Sequence, residues 1–372
     1  MKNTKKIRIS LIILTSLLVL LVLAVFLVPK LLFTDYEGLP TTGPYEVAQT
    51  SAILIDEARL ETFETDGSKR EVPVYFYYPV PEKSKEESCP LVIFSHGAFG
   101  YYQSNTSTYM ELASHGYVVV SLDHPYHSFF TTDTAGKTIT VNPEFIQEVM
   151  GVNEEGVSEE EIIELSHDWL EIRVADMSFV LDTLKNAKEA EELSFTNWYV
   201  SEENVTQDIL TILSMTDMES IGLMGHSLGG ASSVTLGRTR EDIDAVIDLD
   251  GTMLGEEFGY ENGVYEFYEG EYPVPLLSVS NEAHHRDGKV AGDLYVNNIV
   301  LENAVDSHYT YFVGSGHMNF TDLPLFSPPL AAMLGVGEVD ATECVITMNE
   351  IVLEYFDYYL KDEGEIIIQE SY

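Results

Sequence analysis

Cysteine and basic residues are both scarce in this chain. Its 372 residues include 2 cysteines and 19 lysines and arginines, against 62 aspartates and glutamates, which gives a formal net charge of −43. Two cysteines exclude a disulfide scaffold and a multi-cysteine zinc module, and leave open only a pairing of Cys89 with Cys344. So acidic a body repels nucleic acid and a bare anionic lipid surface. Apolar residues make up 45% and aromatic residues 11%, which excludes wholesale disorder.

One long apolar run stands near the N-terminus. Four basic residues fall within segment 1–8, and residues 9–30 that follow are almost entirely apolar. Twenty helical residues span about 30 Å, the thickness of the hydrocarbon core of a bilayer. Basic residues before such a run favour a cytoplasmic N-terminus. We therefore predict a cytoplasmic segment 1–8, a single-pass transmembrane signal-anchor 9–30, and an extracellular remainder at the cell membrane. The alternative is a cleaved signal peptide and a secreted protein.

Beyond this run, short apolar segments alternate with helical stretches. Residues 31–50 contain glycines and prolines and are predicted to be a linker. The apolar segments are short and bounded by turn residues, which is typical of central strands in a mostly parallel sheet. Alternation of strands and helices predicts one α/β domain over residues 51–362. The predicted strands are Ala52–Phe63, Val72–Tyr78, Leu91–Phe94, Tyr117–Leu122, Ile221–Met224, Ala245–Leu249, Val274–Val279 and Tyr309–Val313, and the predicted helices are Thr106–Ser114, Trp169–Ala187, Leu228–Thr239 and Met348–Leu360.

Two segments depart from this alternation. Residues 131–165 begin with a hairpin or loop and continue into a strongly acidic stretch at Val152–Glu164. This insertion is interpreted either as a lid over a site or as a solvated excursion. Residues 363–372 are predicted to be a peripheral tail, in which Ile366–Ile368 can add an edge strand.

The segment around Ser227 carries the strongest chemical signal. Gly225-His-Ser227-Leu-Gly229 has the pattern G-x-S-x-G and lies directly between an apolar strand and a helix. In a tight strand-to-helix turn the middle residue is held in strained geometry and its hydroxyl is lifted off the sheet. The flanking glycines are needed because a Cβ there would collide with neighbouring backbone. Ser227 is therefore the predicted nucleophile.

A serine hydroxyl needs a base, and the base needs an acid to orient it. In this arrangement both follow the serine along the chain, with the acid first. His317 lies in a glycine-rich loop just after a predicted strand and is the predicted base. Asp250 closes another predicted strand before a glycine and is favoured as the acid over Asp248. The neighbouring pair His284-His285 has no evident third ligand, and no metal site is predicted.

Two backbone amides are expected to stabilise the oxyanion of the tetrahedral intermediate. One belongs to Leu228, the residue after the nucleophile. The second is predicted at Ala98, because His96-Gly97 follows an early strand and leads into a turn. The aromatic residues that follow in this loop are candidates for the substrate pocket or for ordinary loop packing: Phe99, Tyr101 and Tyr102.

At these motifs the chain resembles the α/β-hydrolases, and more narrowly the type II (plasma and bacterial) platelet-activating factor acetylhydrolase family. The matching pieces extend over roughly residues 70–325. They are Phe94-Ser-His-Gly-Ala-Phe-Gly, Leu112-Ala-Ser-His-Gly-Tyr-Val-Val-Val, Arg173-Val-Ala-Asp176, Gly225-His-Ser-Leu-Gly-Gly, Leu249-Asp-Gly-Thr-Met and Gly316-His-Met-Asn-Phe-Thr-Asp. Arg173 and Asp176, three residues apart on a predicted helix, are interpreted as a structural ion pair.

The resemblance implies an α/β-hydrolase fold and a Ser227, Asp250 and His317 triad that needs no cofactor. It also implies hydrolysis of short-chain acyl esters, including phospholipid esters. Tyr101 and its neighbours differ from the family's usual Arg-Thr pair after the His-Gly loop, so the substrate class stays open. A related carboxylesterase, polyester or dienelactone-type hydrolase is the alternative enzyme. A non-catalytic surface binding module is the alternative outside enzymes.

Overall fold

The computed structural model describes residues 30–80, 88–152 and 156–372. Its strands, in chain order, are β1 (Val47–Leu60), β2 (Lys69–Pro79), β3 (Cys89–Ser95), β4 (Val118–Leu122), β5 (Phe130–Thr132), β6 (Thr138–Thr140), β7 (Trp198–Tyr199), β8 (Thr216–His226), β9 (Ala245–Leu249), β10 (Glu257–Glu261), β11 (Val264–Phe267), β12 (Leu276–Asn281) and β13 (Ser307–Phe312). Its helices are α1 (Thr106–Ser114), α2 (Pro143–Gly151), α3 (Glu159–Ala190), α4 (Glu203–Met215), α5 (Leu228–Thr239), α6 (Glu282–Ala291), α7 (Val296–Asn303), α8 (Leu323–Phe326), α9 (Pro328–Leu334) and α10 (Ala341–Lys361).

A nine-stranded sheet runs through the centre of the molecule in the order β13-β12-β9-β8-β3-β4-β2-β1-β7. Strands β13 through β4 in this order are mutually parallel, whereas β2, β1 and β7 add antiparallel pairs. The central strands are buried along their whole length because helices cover both faces, which explains their continuous apolar runs. This arrangement fits the predicted α/β-hydrolase fold.

The sheet and its helices pack together through two apolar cores, one on each face of the sheet. Side chains of α3, α4 and α7 pack on one face, and those of α1 and α10 pack on the other. Most predicted central strands and helices are found, and α1, α5 and β9 have the predicted bounds. The two long helices begin earlier than predicted. Helix α3 starts at Glu159 because Ser158 accepts a hydrogen bond from the Glu161 amide and caps the first turn.

Among the connecting segments, the prediction for the linker needs correction. The predicted linker 31–50 is shorter, because β1 already begins at Val47. Part of the acidic stretch is helical, since three glutamates from Glu159 form the first turn of α3, where the helix dipole favours negative charge. The lid and the solvated excursion stay alternative predictions. The hairpin or loop predicted at the start of residues 131–165 is a hairpin, formed by β5 and β6.

The C-terminal tail forms its edge contact later than predicted. Ile366–Ile368 is not a strand, and the contact with β13 is a single parallel bridge between Tyr311 and Ser371. The Tyr372 ring stacks on Phe312, with ring centroids 5.5 Å apart. The tail therefore covers the edge of the sheet at β13.

The predicted transmembrane segment 9–30 lies outside the described residues, apart from Lys30. Across the described part of the chain, no helix combines the length and apolar character that crossing a bilayer requires.

Candidate active site

Ser227 occupies a sharp turn between β8 and α5. Its backbone has φ 55° and ψ −124°, a conformation that costs energy for any residue with a Cβ. A Cβ on Gly225 would lie 2.1 Å from the Gly229 carbonyl oxygen, and one on Gly229 would lie 1.9 Å from the Ser95 carbonyl oxygen. The two glycines therefore let the turn close against β3 and hold the serine at the carboxyl edge of the sheet.

Asp250 and His317 meet at this same edge. Asp250 directly follows β9, and His317 begins a short 3-10 turn shortly after β13. The two strands are parallel members of one sheet, so their carboxyl ends share an edge with β8. The His317 Nδ1 atom lies 2.6 Å from Asp250 Oδ2, within hydrogen-bonding distance.

The Asp250 carboxylate is buried among donors. Its two oxygens accept hydrogen bonds from the backbone and side-chain nitrogens of Asn281, each 2.7 Å long. Burial alone would raise the pKa of Asp250, but the contacts with His284 and His317 outweigh it and hold that pKa below its usual value. The carboxylate is therefore ionised and able to fix the imidazole of His317 in one orientation.

His284 is a second imidazole on the same carboxylate, and the sequence did not predict it there. Its Nδ1 lies 3.0 Å from Asp250 Oδ1, as a charge contact that is poorly aligned for a hydrogen bond. Burial lowers the pKa of His284, and the Asp250 charge more than reverses this, so the net direction is upward. The signal that could have found it is its position just after β12, at the same edge of the sheet.

Asp248, the other candidate acid, lies beneath the turn rather than beside His317. Its carboxyl accepts a hydrogen bond from the Gly251 amide at 3.0 Å and contacts the Ser278 hydroxyl at 3.3 Å. Burial, and then the charge of Asp250, raise its pKa well above the usual value. Of the two candidates, the structure therefore brings Asp250 to His317.

The Ser227 hydroxyl makes no hydrogen bond with any residue that the structure describes, His317 included. His226, the residue before Ser227, lies against His317: their ring centroids are 4.6 Å apart, and His226 Nε2 is 3.1 Å from the His317 carbonyl oxygen. Catalytic hydrogen bonds are often open before substrate binds, so this geometry is compatible with a base that closes on the serine.

The loop after β3 lies directly against the turn. A Cβ on Gly97 would approach the Ser227 Cβ to 3.2 Å and the His226 Nδ1 to 2.9 Å. Within the described ranges, the amides of Ala98 and Leu228 have no backbone or side-chain acceptor. Both predicted oxyanion donors therefore belong to backbone segments at the serine and are unpaired.

The three aromatic residues of this loop differ in their surroundings. Phe99 packs edge-on against Phe145, with ring centroids 5.4 Å apart, in a small apolar cluster that includes Leu228. Tyr102 stacks on Tyr75 with centroids 3.5 Å apart, and Tyr101 lies 5.5 Å from the ring of Phe130. Phe99 is thus the one that shares a cluster with a predicted oxyanion residue.

The predicted ion pair between Arg173 and Asp176 is wrong. Asp176 instead binds Arg70 through two hydrogen bonds of 2.6 and 3.1 Å, and also binds Arg59 and His124. Arg173 donates to the carbonyl oxygens of the loop after β3. Spacing along one helix could not reveal this, because every partner comes from another element.

The remaining predicted features are structural or unconnected to the serine. Cys89 and Cys344 are buried and are not joined as a disulfide. Over residues 30–80, 88–152 and 156–372, no group of three His, Cys, Asp or Glu side chains is placed to hold a metal ion.

Comparison with known proteins gives relatives of a consistent kind. A ferulic acid esterase from Streptomyces cinnamoneus has a similar fold, with a TM-score of 0.63 and 19% identity over 89% of this chain and 95% of the esterase chain. The platelet-activating factor acetylhydrolase of Gallus gallus is 24% identical over 74% of this chain and 63% of its own length. That of Canis lupus familiaris is 20% identical over 74% of this chain and 58% of its own length.

The match to the family as a whole covers more of this chain than either acetylhydrolase does. The sequence model described as platelet-activating factor acetylhydrolase, isoform II, matches residues 48–366. The curated relatives are longer, since the chain spans about three-fifths of their length. The resemblance inferred from the motifs is confirmed, and this chain belongs to the platelet-activating factor acetylhydrolase, isoform II, family.

Proposed function

We propose that this chain is a serine ester hydrolase that cleaves carboxylic esters through Ser227, His317 and Asp250. The observation that carries the proposal is the 2.6 Å contact between His317 Nδ1 and Asp250 Oδ2 at the edge of the sheet that holds the strained Ser227. A carboxylate that fixes Nδ1 as a donor leaves Nε2 free to accept a proton. This is the protonation state that a base for a serine hydroxyl requires.

The reaction proceeds in two halves. Ser227 Oγ attacks the acyl carbon while His317 Nε2 takes its proton, and the amides of Ala98 and Leu228 stabilise the resulting oxyanion. The protonated His317 then gives its proton to the departing alkoxide, and an acyl-enzyme remains. Water attacks this ester, His317 accepts the water proton and returns it to Ser227, and the carboxylic acid leaves.

Short-chain acyl esters, including zwitterionic phospholipid esters, are the proposed substrates. The named activity of the family relatives supports this class. The formal net charge of −43 disfavours strongly anionic substrates, whereas zwitterionic or neutral esters avoid that repulsion.

We further propose that the catalytic domain is tethered to the outer face of the membrane by residues 9–30. The segment that follows supports a short tether. Phe33 stacks on Phe326 with centroids 6.4 Å apart, the Thr34 amide donates to the Phe326 carbonyl at 2.8 Å, and Ser327 Oγ donates to the Leu32 carbonyl at 2.6 Å. Helix α8 comes soon after the turn that carries His317. An anchor ending at residue 30 would therefore hold the rim of the site near the bilayer surface.

A fluorophosphonate probe tests the nucleophile. We expect labelling at Ser227 in the folded full-length chain, identified by peptide mass, and neither labelling nor turnover in Ser227→Ala. A panel of acetyl, butyryl and long-chain p-nitrophenyl esters beside a p-nitroanilide amide tests the bond type. Ser227→Ala protein with wild-type ester turnover would overturn the proposal, and faster amide than ester cleavage would replace it by a peptidase activity.

The tether has its own experiment. The mass of the native N-terminus and fractionation of intact cells with a protease-accessible domain distinguish an anchored from a secreted form. An N-terminus beginning after residue 30 would contradict the anchor while leaving the catalytic proposal intact.

A further inference from the structure

Arg173 is a buried cation whose partners are main-chain oxygens. Its side chain lies on α3 and is completely inaccessible to solvent. The guanidinium donates to the carbonyl oxygen of His96 and, at 3.3 Å, to that of Gly97, and its Nε lies 3.4 Å from His127 Nδ1. In the part of the chain that the structure describes, Arg173 has no carboxylate hydrogen-bonded to it. Burying a guanidinium without a paired carboxylate costs folding free energy. We therefore expect the contacts of Arg173 to have a functional role.

The two carbonyls belong to the loop that carries the predicted oxyanion donor. The Gly97 oxygen receives three donors: the Gly100 amide at 3.1 Å, His96 Nδ1 at 2.7 Å and Arg173 at 3.3 Å. Burial, and then the charge of Arg173, lower the pKa of His96 well below its usual value, so its imidazole is neutral. Because a carbonyl oxygen can only accept, the single ring proton of His96 must be on Nδ1.

The geometry of the peptide group transmits this restraint to Ala98. The Gly97 carbonyl and the Ala98 N–H belong to one planar trans peptide, in which they point in opposite directions. Fixing the oxygen toward Arg173 therefore fixes the direction of the N–H away from Arg173, in a loop whose Gly97 adjoins Ser227. A cation at the oxygen also polarises the peptide and makes its N–H a stronger donor.

We propose that Arg173 is a positioning residue, which orients and polarises the Gly97–Ala98 peptide so that the Ala98 amide is aimed at the oxyanion formed at Ser227. This inference rests on the proposed function. By this proposal, the Arg173 side chain on α3 holds the Ala98 amide in place before the substrate binds, although Ala98 lies 75 residues earlier in the chain. Burial lowers the pKa of Arg173 to about 9, with the charge of Asp176 opposing, so the guanidinium is still positive at neutral pH.

Arg70 provides a matched control. Its side chain is also almost fully buried, and it is paired with two carboxylates, those of Asp176 and Glu61. Among the described residues, the one carbonyl that Arg70 hydrogen-bonds is that of Pro125, so Arg70 makes no hydrogen bond to the loop after β3. Loss of either guanidinium should destabilise the fold, but only loss of Arg173 should weaken the stabilisation of an oxyanion.

The experiment compares Arg173→Met, Arg173→Lys and Arg70→Met in the full-length chain, with rates expressed per folded molecule. Removing one oxyanion donor typically lowers kcat by about 10²- to 10³-fold. We expect Arg173→Met to lose about 10²-fold in kcat for p-nitrophenyl acetate with KM changed less than about threefold, because the donor acts on the transition state. Arg173→Lys, which keeps the charge, should recover part of this loss. Arg70→Met should keep kcat within about threefold.

A second readout isolates the oxyanion. A trifluoromethyl ketone forms a charged tetrahedral adduct with a serine nucleophile, and its affinity should fall in parallel with kcat in Arg173→Met and stay constant in Arg70→Met. If Arg173→Met does not fold, Arg173→Lys and Arg173→Gln carry the comparison. Unchanged kcat and inhibitor affinity in folded Arg173 variants, or equal losses in Arg70→Met, would refute the positioning role. Absence of Ser227 labelling in the wild-type chain would instead refute the proposed function.

Discussion

Replacing Asp250 by asparagine removes one oxygen from a carboxyl group that faces donors on both sides. Asp250 Oδ1 accepts the Asn281 backbone amide, and Oδ2 accepts the Asn281 side chain and faces His317 Nδ1. An amide has one accepting oxygen and one donating nitrogen. The backbone N–H cannot turn away, whereas the Asn281 side chain and the imidazole can. The new amide should therefore keep its oxygen on the backbone N–H and turn its NH₂ toward His317.

The consequence for catalysis follows from the tautomer of His317. Facing an NH₂ group, His317 Nδ1 must become an acceptor, so the ring proton moves to Nε2. An Nε2–H cannot take the proton of Ser227. This defect has cost about 10⁴-fold in kcat where a triad aspartate was changed to asparagine, or about 5 kcal/mol of barrier. We expect a loss of this order at pH 7.

Asp248→Asn is the matched variant. Burial raises the pKa of Asp248 well above its usual value, which favours a neutral carboxyl with one accepting oxygen on the Gly251 amide. An asparagine can keep that bond and present its NH₂ to the Ser278 hydroxyl. Its kcat should therefore stay within about threefold of the wild-type value, since no reacting group changes its protonation state.

The assay is steady-state hydrolysis of p-nitrophenyl acetate at pH 7, with circular dichroism to measure the folded fraction. Fluorophosphonate labelling rates provide a second measure that depends on the same base. A larger loss of kcat in Asp248→Asn than in Asp250→Asn would refute the assignment of Asp250 as the acid. Equal losses of kcat would indicate that both substitutions act by disturbing the fold.

Two further predictions concern the turn and its neighbour. Gly229→Ala places a Cβ 1.9 Å from the Ser95 carbonyl oxygen and should lower the free energy of unfolding by at least about 3 kcal/mol, with ester turnover per folded molecule reduced. Gly270→Ala, whose added Cβ would meet no atom of a non-adjacent residue within 4 Å, should leave thermal unfolding and turnover unchanged. Burial, and then the charge of His317, lower the pKa of His226 to about 3, so only the unfolded chain takes up its proton as pH falls below about 6.5. The stability that neutral His226 confers is thus complete above that pH and declines toward pH 3 by up to about 1.4 kcal/mol per pH unit. His226→Gln should flatten the pH dependence of urea unfolding by this slope between pH 6.5 and 5, and an unchanged slope would contradict the buried neutral state.

The sequence predicted best those features that depend on short stretches of chain. Central strands such as β9 were recognisable because burial on both faces requires a continuous apolar run. Ser227 was recognisable because its turn requires glycines at fixed offsets. The choice of Asp250 over Asp248 also came from position, since the last residue before a turn lies at the sheet edge. The roles assigned to these residues stay predictions until the variants are measured.

The features that were missed depend on contacts between distant segments. Asp176 has an arginine three residues away on its own helix, yet it pairs with Arg59 and Arg70, which are 117 and 106 residues away. The sequence indicates which side of its helix Asp176 lies on. It does not indicate which strand residues face that side, because the register of the strands was unknown. His284 was missed for a similar reason, because its contact with Asp250 depends on β12 lying beside β9.

The strip formed by Glu370, Ser371 and Tyr372 beside β13 bears on how the folded protein behaves at high concentration. Tyr311 donates its amide to the Glu370 carbonyl, and Val313 donates to that of Tyr372. Without this strip, β13 would present unpaired amides and carbonyls that a strand of another molecule can engage. Removing the three residues should therefore promote self-association while leaving the reacting groups in place, so light scattering would register the change before any esterase assay did.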